Sequence, residues 1–311
     1  MNLKDQPPRP RAGADSILVV RQTRSCLLTA VILFRHNMGM KYCIPIAALS
    51  LLVSTFAFAA DAPALPPAEK EAKARLDASP RHGEWVEIAV GDKKMKAFVV
   101  YPERKEKAPV VIVIQEIFGL TDWIRSVADQ LAAEGFIAIA PDLLSGPGGN
   151  GTDAAGDRQA VMKAVSGLKP EVVTPMLNAA RDYAIKLPAA NGKSACVGFC
   201  WGGGTSFRYA SEQPDLNAAV VYYGTSPNDA ALEKIKCPVS GHYGGNDARV
   251  DATIPPAEKK MKELNKPYTP HIYDGAGHGF LRQSDGSDAN KKAADQAWPE
   301  TVKFIRENTK G

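Results

Sequence analysis

The sequence predicts an α/β fold in which a mostly parallel sheet is covered by helices on both faces. Strand-like apolar runs alternate with segments of helical period between residues 84 and 307. The run at residues 110–114 is continuously apolar and β-branched, as in strands that are buried on both faces. About 250 residues follow residue 59, which suits one large domain.

The elements are predicted from these patterns in chain order. Residues 84–90 and 95–101 form a hairpin, joined at Gly91-Asp92. Further strands are predicted at residues 110–114, 136–140, 194–199, 218–223, 239–243 and 268–273. Helices are predicted at residues 122–134, 159–165, 172–186, 203–212, 256–265 and 289–307.

Residues 40–59 have the pattern of a secretory signal peptide. Lys41 supplies a positive charge, residues 44–56 form a short apolar core, and Ala57-Phe58-Ala59 is a small-residue cleavage site. Cleavage is expected after Ala59, so the protein is expected to be exported to the periplasm without stable membrane association. An uncleaved membrane anchor is the alternative, although the apolar core is short for a membrane span.

The segments on either side of the signal peptide show no strand or helix pattern. Residues 1–39 are interpreted as an extension that is disordered or arises from a mis-assigned start, with Met38 or Met40 as the true beginning; a cytoplasmic tail is the alternative. Residues 60–80 are rich in Ala, Pro, Lys and Glu and are expected to be a solvated lead-in. The domain itself is predicted to cover residues 81–311.

The formal net charge of +4 belongs to the N-terminal segments. Residues 1–59 hold seven basic and two acidic residues, which leaves 31 basic and 32 acidic residues in the rest of the chain. A nearly neutral domain gives no reason to expect a nucleic-acid partner.

Three cysteines follow residue 59: Cys196, Cys200 and Cys237. An odd number in an exported protein argues against a disulfide framework and indicates a reactive thiol. Cys196 and Cys200 have the spacing of half a zinc site, but no second Cys/His pair accompanies them. We therefore expect neither a metal nor another cofactor.

The segment Gly198-Phe199-Cys200-Trp201-Gly202 lies between a predicted strand and a predicted helix. It matches the nucleophile-elbow pattern G-x-S-x-G with sulfur in place of the hydroxyl. Glycines are needed there because the turn brings strand and helix close together, and the helix N-terminus favours a thiolate. Cys200 is therefore the predicted nucleophile; a buried cysteine in a glycine-rich turn is the alternative.

An acid and a base follow the predicted nucleophile in the chain order nucleophile, acid, base. Asp247 comes after the strand at residues 239–243, and His278 comes after the strand at residues 268–273. Such loops at strand ends are where open α/β sheets build their sites. His278 is predicted to be the general base and Asp247 to orient it; Asp251 and Asp274 are the competing acids.

A fourth segment, residues 115–119, directly follows the strand at residues 110–114. In a fold with a nucleophile elbow this turn supplies one N–H group of the oxyanion hole, and the residue after the nucleophile supplies the other. These are predicted to be the backbone N–H groups of Ile117 and Trp201. Glu116 is then a carboxylate beside the nucleophile, where a charge needs a role or a partner.

These segments together resemble the dienelactone hydrolase (carboxymethylenebutenolidase) family of the α/β-hydrolase superfamily. The resemblance covers about residues 84–308 and is carried by residues 115–119, 141–143, 191–193, 198–203, 222–224, 244–247 and 278–282. It implies the α/β-hydrolase fold for this chain.

The resemblance also implies a mechanism. In it, Glu116 takes the proton of Cys200, the thiolate attacks a lactone or ester carbonyl, and water assisted by His278 hydrolyses the thioester. Arg282 matches one arginine that holds a substrate carboxylate, and Arg158 is a weaker match for a second. A solvated helix arginine is the alternative for Arg158.

The function predicted from these residues is hydrolysis of a small carboxylate-bearing lactone or ester of the dienelactone type, by a monomeric enzyme. A broader exported carboxylesterase or thioesterase is the first alternative. A non-catalytic binding protein of the same fold is the second, although binding alone would not need the set Glu116, Cys200, Asp247 and His278.

Overall fold

The computed structural model describes residues 63–146 and 149–311, and in them it confirms the predicted α/β fold. One eight-stranded sheet has the strand order β1-β2-β4-β3-β5-β6-β7-β8. The first two strands form the predicted antiparallel hairpin, β2 also runs antiparallel to β4, and all other neighbours are parallel. The strands are β1 (Gly83–Val90), β2 (Lys93–Val100), β3 (Ala108–Ile114), β4 (Ile137–Pro141), β5 (Ala190–Phe199), β6 (Ala218–Tyr222), β7 (Val239–Gly244) and β8 (Tyr268–Tyr273).

The helices include every predicted one, with ends that differ by a few residues. They are α1 (Ala72–Asp77), α2 (Asp122–Ala133), α3 (Arg158–Ser166), α4 (Pro170–Ile185), α5 (Trp201–Glu212), α6 (Asp229–Leu232), α7 (Ala248–Asp251), α8 (Ile254–Glu263) and α9 (Asp288–Asn308). The prediction missed α1, α6 and α7 because four to six residues are too few to show a helical period. Helix α5 begins at Trp201 rather than Gly203, directly after the predicted nucleophile.

The core lies on both faces of the sheet, and strand β3 shows why. All of its residues are buried, and their side chains alternate between the faces. Val110, Ile112 and Ile114 pack with α4, α5 and α8 on one face. Val111 and Val113 pack with α2 and α9 on the other. The carboxyl ends of the parallel strands therefore meet at one edge, where loops can gather side chains.

The segment before β1, predicted to be a solvated lead-in, is exposed at many positions but is also attached to the domain by several contacts. Ala68 and Ala72 are buried, and the indole Nε1–H of Trp123 donates to the carbonyl of Pro67 at 3.1 Å. The backbone N–H of Glu69 donates to the carbonyl of Arg282 at 2.9 Å. The composition of the segment did not indicate these contacts, which involve two small alanine side chains and backbone groups.

The predictions for residues 1–39 and for the signal peptide at residues 40–59 lie outside the described residues. No helix in residues 63–146 or 149–311 is long and apolar enough to cross a membrane. The same residues contain no group of three or more His, Cys, Asp or Glu side chains arranged to hold a metal ion.

Candidate active site

Cys200 lies on a tight turn between β5 and α5. Its φ of 56° falls in the left-handed region, which is strained for a residue with a side chain. A Cβ on Gly198 would lie 1.9 Å from the carbonyl oxygen of Gly202, and one on Gly202 would lie 2.2 Å from that of Gln115. The two glycines are therefore required by close backbone approach, and the turn presents the sulfur at the carboxyl edge of the sheet.

The structure brings Cys200, His278 and Asp247 into one hydrogen-bonded chain. The sulfur lies 3.1 Å from Nε2 of His278, and Nδ1 of His278 contacts Oδ2 of Asp247. Of the three carboxylates considered in the sequence, Asp247 is the one that contacts His278, and it is buried. This is the geometry of a nucleophile, a base and an orienting acid.

The surroundings of Cys200 favour a protonated thiol at rest. Burial raises the pKa of the thiol above its ordinary value of 9.0, and the negative charge of Glu116 raises it further. The backbone N–H groups of Trp201 and Ile117 lie near enough to the sulfur to lower the pKa, as does the more distant charge of Arg249. These two N–H groups are the predicted oxyanion-hole donors.

Glu116 is almost completely buried and forms an ion pair with Arg282, whose Nε lies 2.8 Å from its Oε2. Burial raises the pKa of Glu116 to about 7; the Arg282 charge opposes the shift and the Glu69 charge adds to it. The carboxylate is thus paired with an arginine while Cys200 contacts His278. At neutral pH this buried group is close to the midpoint of its titration.

Arg282 and Arg158, the two predicted substrate anchors, both contact Glu69 of the segment before β1. Nη1 of Arg282 pairs with Oε2 of Glu69, and Nη1 of Arg158 lies 3.7 Å from Oε1 of the same residue. Both guanidinium groups also lie over the ring of Phe118, at 3.7 Å for Arg158 and 5.1 Å for Arg282. In this arrangement the arginines are engaged by the protein's own carboxylate.

A cavity of about 470 Å³ opens on the sulfur of Cys200. Its lining residues are Ile117, Cys200, Trp201, Gly204, Thr205, Arg208, Tyr223, Thr225, Ser226, Pro227 and Arg249. Arg282 and Arg158 do not belong to this lining. The charged residues that do are Arg208 on α5 and Arg249 on α7.

Sequence reasoning missed four residues of this neighbourhood: Glu69, Arg208, Tyr223 and Arg249. Tyr223 is buried at the end of β6 with a φ of 38°, and its ring lies 5.2 Å from that of His278. Its place at a strand end was a usable signal, as was the position of Arg249 two residues after Asp247. Glu69 carried no such signal because its segment looked like solvated chain.

Three other histidines, His82, His242 and His271, lie apart from this chain of contacts. His242 is buried within β7, where its Nδ1 lies 2.9 Å from the hydroxyl of Tyr273 and its ring stacks on that of His271. Burial lowers the pKa of His242 well below its ordinary value, so it stays neutral in the core. His82 stacks on Tyr101 beside the first hairpin.

Comparison with known proteins agrees with the geometry. The sequence profile of the dienelactone hydrolase family matches residues 95–309. A Saccharolobus solfataricus protein named "Putative carboxymethylenebutenolidase" is 32% identical over 253 residues, which cover 70% of this chain and 95% of that protein. The Pseudomonas putida carboxymethylenebutenolidase is 32% identical over 198 residues, covering 61% and 82%.

A solved structure extends the comparison to the fold. The Klebsiella pneumoniae protein described as a "Putative Dienelactone Hydrolase" superposes with a TM-score of 0.66 at 27% identity, covering 73% of this chain and 99% of that one. The match spans nearly the whole of the domain described above. The chain therefore belongs to the dienelactone hydrolase family and is a hydrolase of the carboxylic-ester class built on the α/β-hydrolase fold.

Proposed function

We propose that this protein hydrolyses a carboxylate-bearing lactone or ester through a thioester formed on Cys200. The observation that carries the proposal is the hydrogen-bonded chain in which His278 Nε2 lies 3.1 Å from the sulfur of Cys200 and His278 Nδ1 contacts Asp247, with the N–H groups of Ile117 and Trp201 placed to lower the pKa of the thiol. A nucleophile needs a base to take its proton and donors to stabilise the developing oxyanion, and this site offers both.

The reaction begins when the thiol loses its proton and the sulfur forms a bond to the substrate carbonyl carbon. The carbonyl oxygen becomes an oxyanion between the N–H groups of Ile117 and Trp201. When the intermediate collapses, the C–O bond breaks and the leaving alkoxide or enolate takes a proton. Water then attacks the thioester, His278 accepts its proton, and the thiolate leaves as the carboxylic acid product forms.

We assign the first proton transfer to Glu116, with His278 as the competing acceptor. A carboxylate with a pKa of about 7 is a much better base than an ordinary glutamate. While Arg282 pairs with Glu116, transfer of the thiol proton to this carboxylate is disfavoured. A substrate that disturbs the ion pair would therefore leave Glu116 free to accept the proton. His278 contacts the sulfur directly and would otherwise take the proton itself.

The decisive experiment replaces the sulfur. Cys200→Ala is expected to lower kcat/KM for any ester substrate by about a thousandfold or more, because the variant can still bind the substrate but has no sulfur to form the thioester. Cys237→Ala is the matched control, since Cys237 is a buried cysteine outside the site. Mass spectrometry of a quenched reaction should show an acyl group on the Cys200 peptide. Full activity in Cys200→Ala would contradict the proposal.

The contacts of Glu69 favour a second candidate, a carboxylesterase or thioesterase whose substrate differs from dienelactone. Arg282 and Arg158 are the arginines that the family resemblance assigns to a substrate carboxylate, and Glu69 engages both. Turnover of dienelactone should be compared with turnover of short p-nitrophenyl esters and of acyl thioesters. Hydrolysis of the esters or thioesters without turnover of dienelactone would select this candidate.

We further propose that residues 40–59 direct export to the periplasm and are removed after Ala59. The support is the charge, apolar core and small-residue end of this segment in the sequence. Expression of the full chain in a bacterium, followed by fractionation and N-terminal sequencing, tests this proposal. A protein that begins at Ala60 in the periplasmic fraction is expected, and an unprocessed cytoplasmic protein would overturn it.

A further inference from the structure

The turn after β3, residues 115–120, carries Glu116 and the N–H group of Ile117 that is predicted to stabilise the oxyanion. Within this turn, the backbone N–H of Gly119 donates to the carbonyl of Glu116 at 3.1 Å. That bond sets the shape of the turn but not its place relative to Cys200, which lies on a different turn. The position of the Ile117 N–H therefore also depends on what holds the two ends of the turn.

The loop after β4 holds both ends. At the start of the turn, the side-chain oxygen of Gln115 accepts from the backbone N–H of Leu143 at 3.1 Å. At its end, the hydroxyl oxygen of Thr152 accepts from the backbone N–H of Leu120 at 2.9 Å. Ile117 lies between these two hydrogen bonds, so a neighbouring loop determines where its N–H group lies.

Thr152 is itself held by a buried carboxylate. Its backbone N–H donates to Oδ2 of Asp142 at 2.8 Å, and its hydroxyl donates to Oδ1 at 2.8 Å. Asp142 is 5% exposed and directly follows β4. A hydroxyl has one hydrogen to donate and two lone pairs that accept. Because Asp142 takes the hydrogen, the Thr152 oxygen is oriented to accept from the N–H of Leu120.

The side chain of Thr152 also packs tightly against the turn. Gly119 has a φ of 77°, and a Cβ at this position would lie 2.5 Å from both Cγ2 and Oγ1 of Thr152. Thr152 thus lies directly against the backbone two residues after Ile117. Since the neighbouring atoms are backbone, a shift of Thr152 would move the turn and could not be absorbed by rotation of a side chain.

We propose that Thr152, held by Asp142, is a positioning residue that keeps the N–H group of Ile117 in the oxyanion hole. This role rests on the thioester chemistry proposed at Cys200. Thr152 does not line the cavity on Cys200, so it acts through the turn and not by contact with the ester. Its effect on the rate can still be large, because a displacement of about 1 Å in an active site can lower a rate about a hundredfold.

The test separates stabilisation of the oxyanion from reactivity of the thiol. Hydrolysis of the p-nitrophenyl ester that the wild type cleaves fastest passes through an oxyanion, and its kcat/KM is measured. Reaction of Cys200 with dithiodipyridine needs the same thiolate but forms a sulfur–sulfur bond and releases thiopyridone, without an oxyanion. The ratio of kcat/KM to the rate constant of this disulfide exchange cancels any change in thiolate formation.

Thr152→Val keeps the shape of the side chain and removes the hydroxyl. It should lower the ratio about tenfold, which is less than the roughly hundredfold or greater loss caused by removing an oxyanion donor outright. Thr152→Ser keeps the hydroxyl and should retain most of the wild-type ratio. Thr309→Val is the matched control, because it removes a buried threonine hydroxyl that donates to the carbonyl of Ile305, and Thr309 lies beside the start of β5, away from the site.

Asp142→Asn is the second variant, because it replaces one of the two oxygens that hold Thr152 with an amide nitrogen that cannot accept. It should lower the ratio as well. The double variant with Thr152→Val should have a ratio no lower than the lower of the two single variants, since both residues act through one contact.

An unchanged ratio in Thr152→Val and Asp142→Asn, with both variants folded by thermal unfolding, would overturn the role of Thr152. Equal losses in Thr152→Val and Thr152→Ser would also overturn it, because the hydroxyl would not be the group responsible. If Thr152→Val does not fold, Asp142→Asn decides alone. Hydrolysis retained in Cys200→Ala would instead overturn the thioester proposal on which this role rests.

Discussion

The two reactive residues of the site, Cys200 and Glu116, are kept from ionising together. Burial raises the pKa of both, and the charge of Glu116 raises that of the thiol. When the thiol gives its proton to Glu116, the negative charge moves from the carboxylate to the sulfur. The total charge of the Cys200–Glu116 pair therefore does not change when the thiol is activated. A protonated resting thiol also reacts slowly with oxidants.

The pKa of Glu116 makes stability depend on pH in a definite direction. The folded protein holds this proton up to about pH 7, whereas an unfolded chain releases it near pH 4.5. The free energy of unfolding therefore falls as pH rises through this window, by up to about 1.4 kcal/mol per pH unit and roughly 3 kcal/mol in all. Glu116→Gln should lack this slope. Urea unfolding at several pH values checks it, and identical slopes in both proteins would contradict it.

At the scale of elements, the turn from β5 to α5 determines where the nucleophile lies. The backbone of this turn approaches β3 so closely that a methyl group on Gly202 would overlap the carbonyl oxygens of Gln115 and Ile114. The same approach brings the turn after β3, with Ile117 and Glu116, to the sulfur. The elbow thus assembles the nucleophile and the oxyanion hole in one contact.

Gly202→Ala should therefore reduce stability and activity together. Overpacking of a tight contact typically costs about 1–3 kcal/mol, and here the neighbours are backbone atoms that cannot rotate away. Gly277→Ala is the matched control for stability, because a Cβ there meets no atom within 4 Å. Thermal unfolding of both variants is the measurement. Equal melting temperatures for Gly202→Ala and the wild type would show that the turn can relax.

The segment before β1 acts on the site through Glu69. The backbone N–H of Glu69 donates to the carbonyl of Arg282. Its carboxylate competes with Glu116 for the Arg282 guanidinium, and its charge raises the pKa of Glu116. Removing this charge should lower the pKa of Glu116, because one repulsive neighbour disappears and Arg282 is free to pair with Glu116 alone.

Glu69→Gln should consequently lower the upper end of the pH window of Glu116. The fall of stability with pH should still begin near the pKa of the unfolded chain, but it should end at a lower pH and be smaller in total than in the wild type, and unfolding curves measured at several pH values across the window detect the change. Glu71→Gln, an exposed change two residues along the segment, should leave the window in place. An unshifted window in Glu69→Gln would show that Glu69 and Glu116 do not interact appreciably.

At the scale of the whole molecule, the fold separates one accessible thiol from two protected ones among the three cysteines in the described part of the chain. Cys196 is fully buried in the core and Cys237 is 4% exposed, whereas Cys200 is partly exposed. Burial raises the pKa of Cys237 to about 11 and that of Cys196 higher still. The sheet and its covering helices thus keep two cysteines inert.

Iodoacetamide should therefore modify Cys200 first among these three cysteines. Peptide mapping after increasing times is the measurement, and modification of Cys200 should parallel loss of activity. Cys196 and Cys237 should react only after denaturation. Early labelling of Cys196 without unfolding would mean that α5 opens away from the sheet far more readily than its packing indicates.

The candidate catalytic residues could be picked out from the sequence because each follows a strand with a local signal. Cys200 stands in a glycine pattern, and Asp247 and His278 follow apolar runs that end at the same edge of the sheet. The contact between Glu69 and Arg282 joins residues 213 positions apart, and no pattern near either one indicates it. The same holds for Arg208, which looked like an ordinary surface arginine of a helix, whereas Arg249 had one local signal, its position two residues after Asp247.

By itself, the sequence determined the parallel sheet, the family and the candidates for nucleophile, acid and base. Those features depend on local periodicity and on close backbone approach, which a short run of residues specifies. Only the tertiary structure decided that Glu69 engages Arg282 and Arg158, that Glu116 is buried enough to raise its pKa to about 7, and that Arg208 and Arg249 face the cavity. Charge interactions and burial depend on distances between residues far apart in the chain, and these distances exist only after folding.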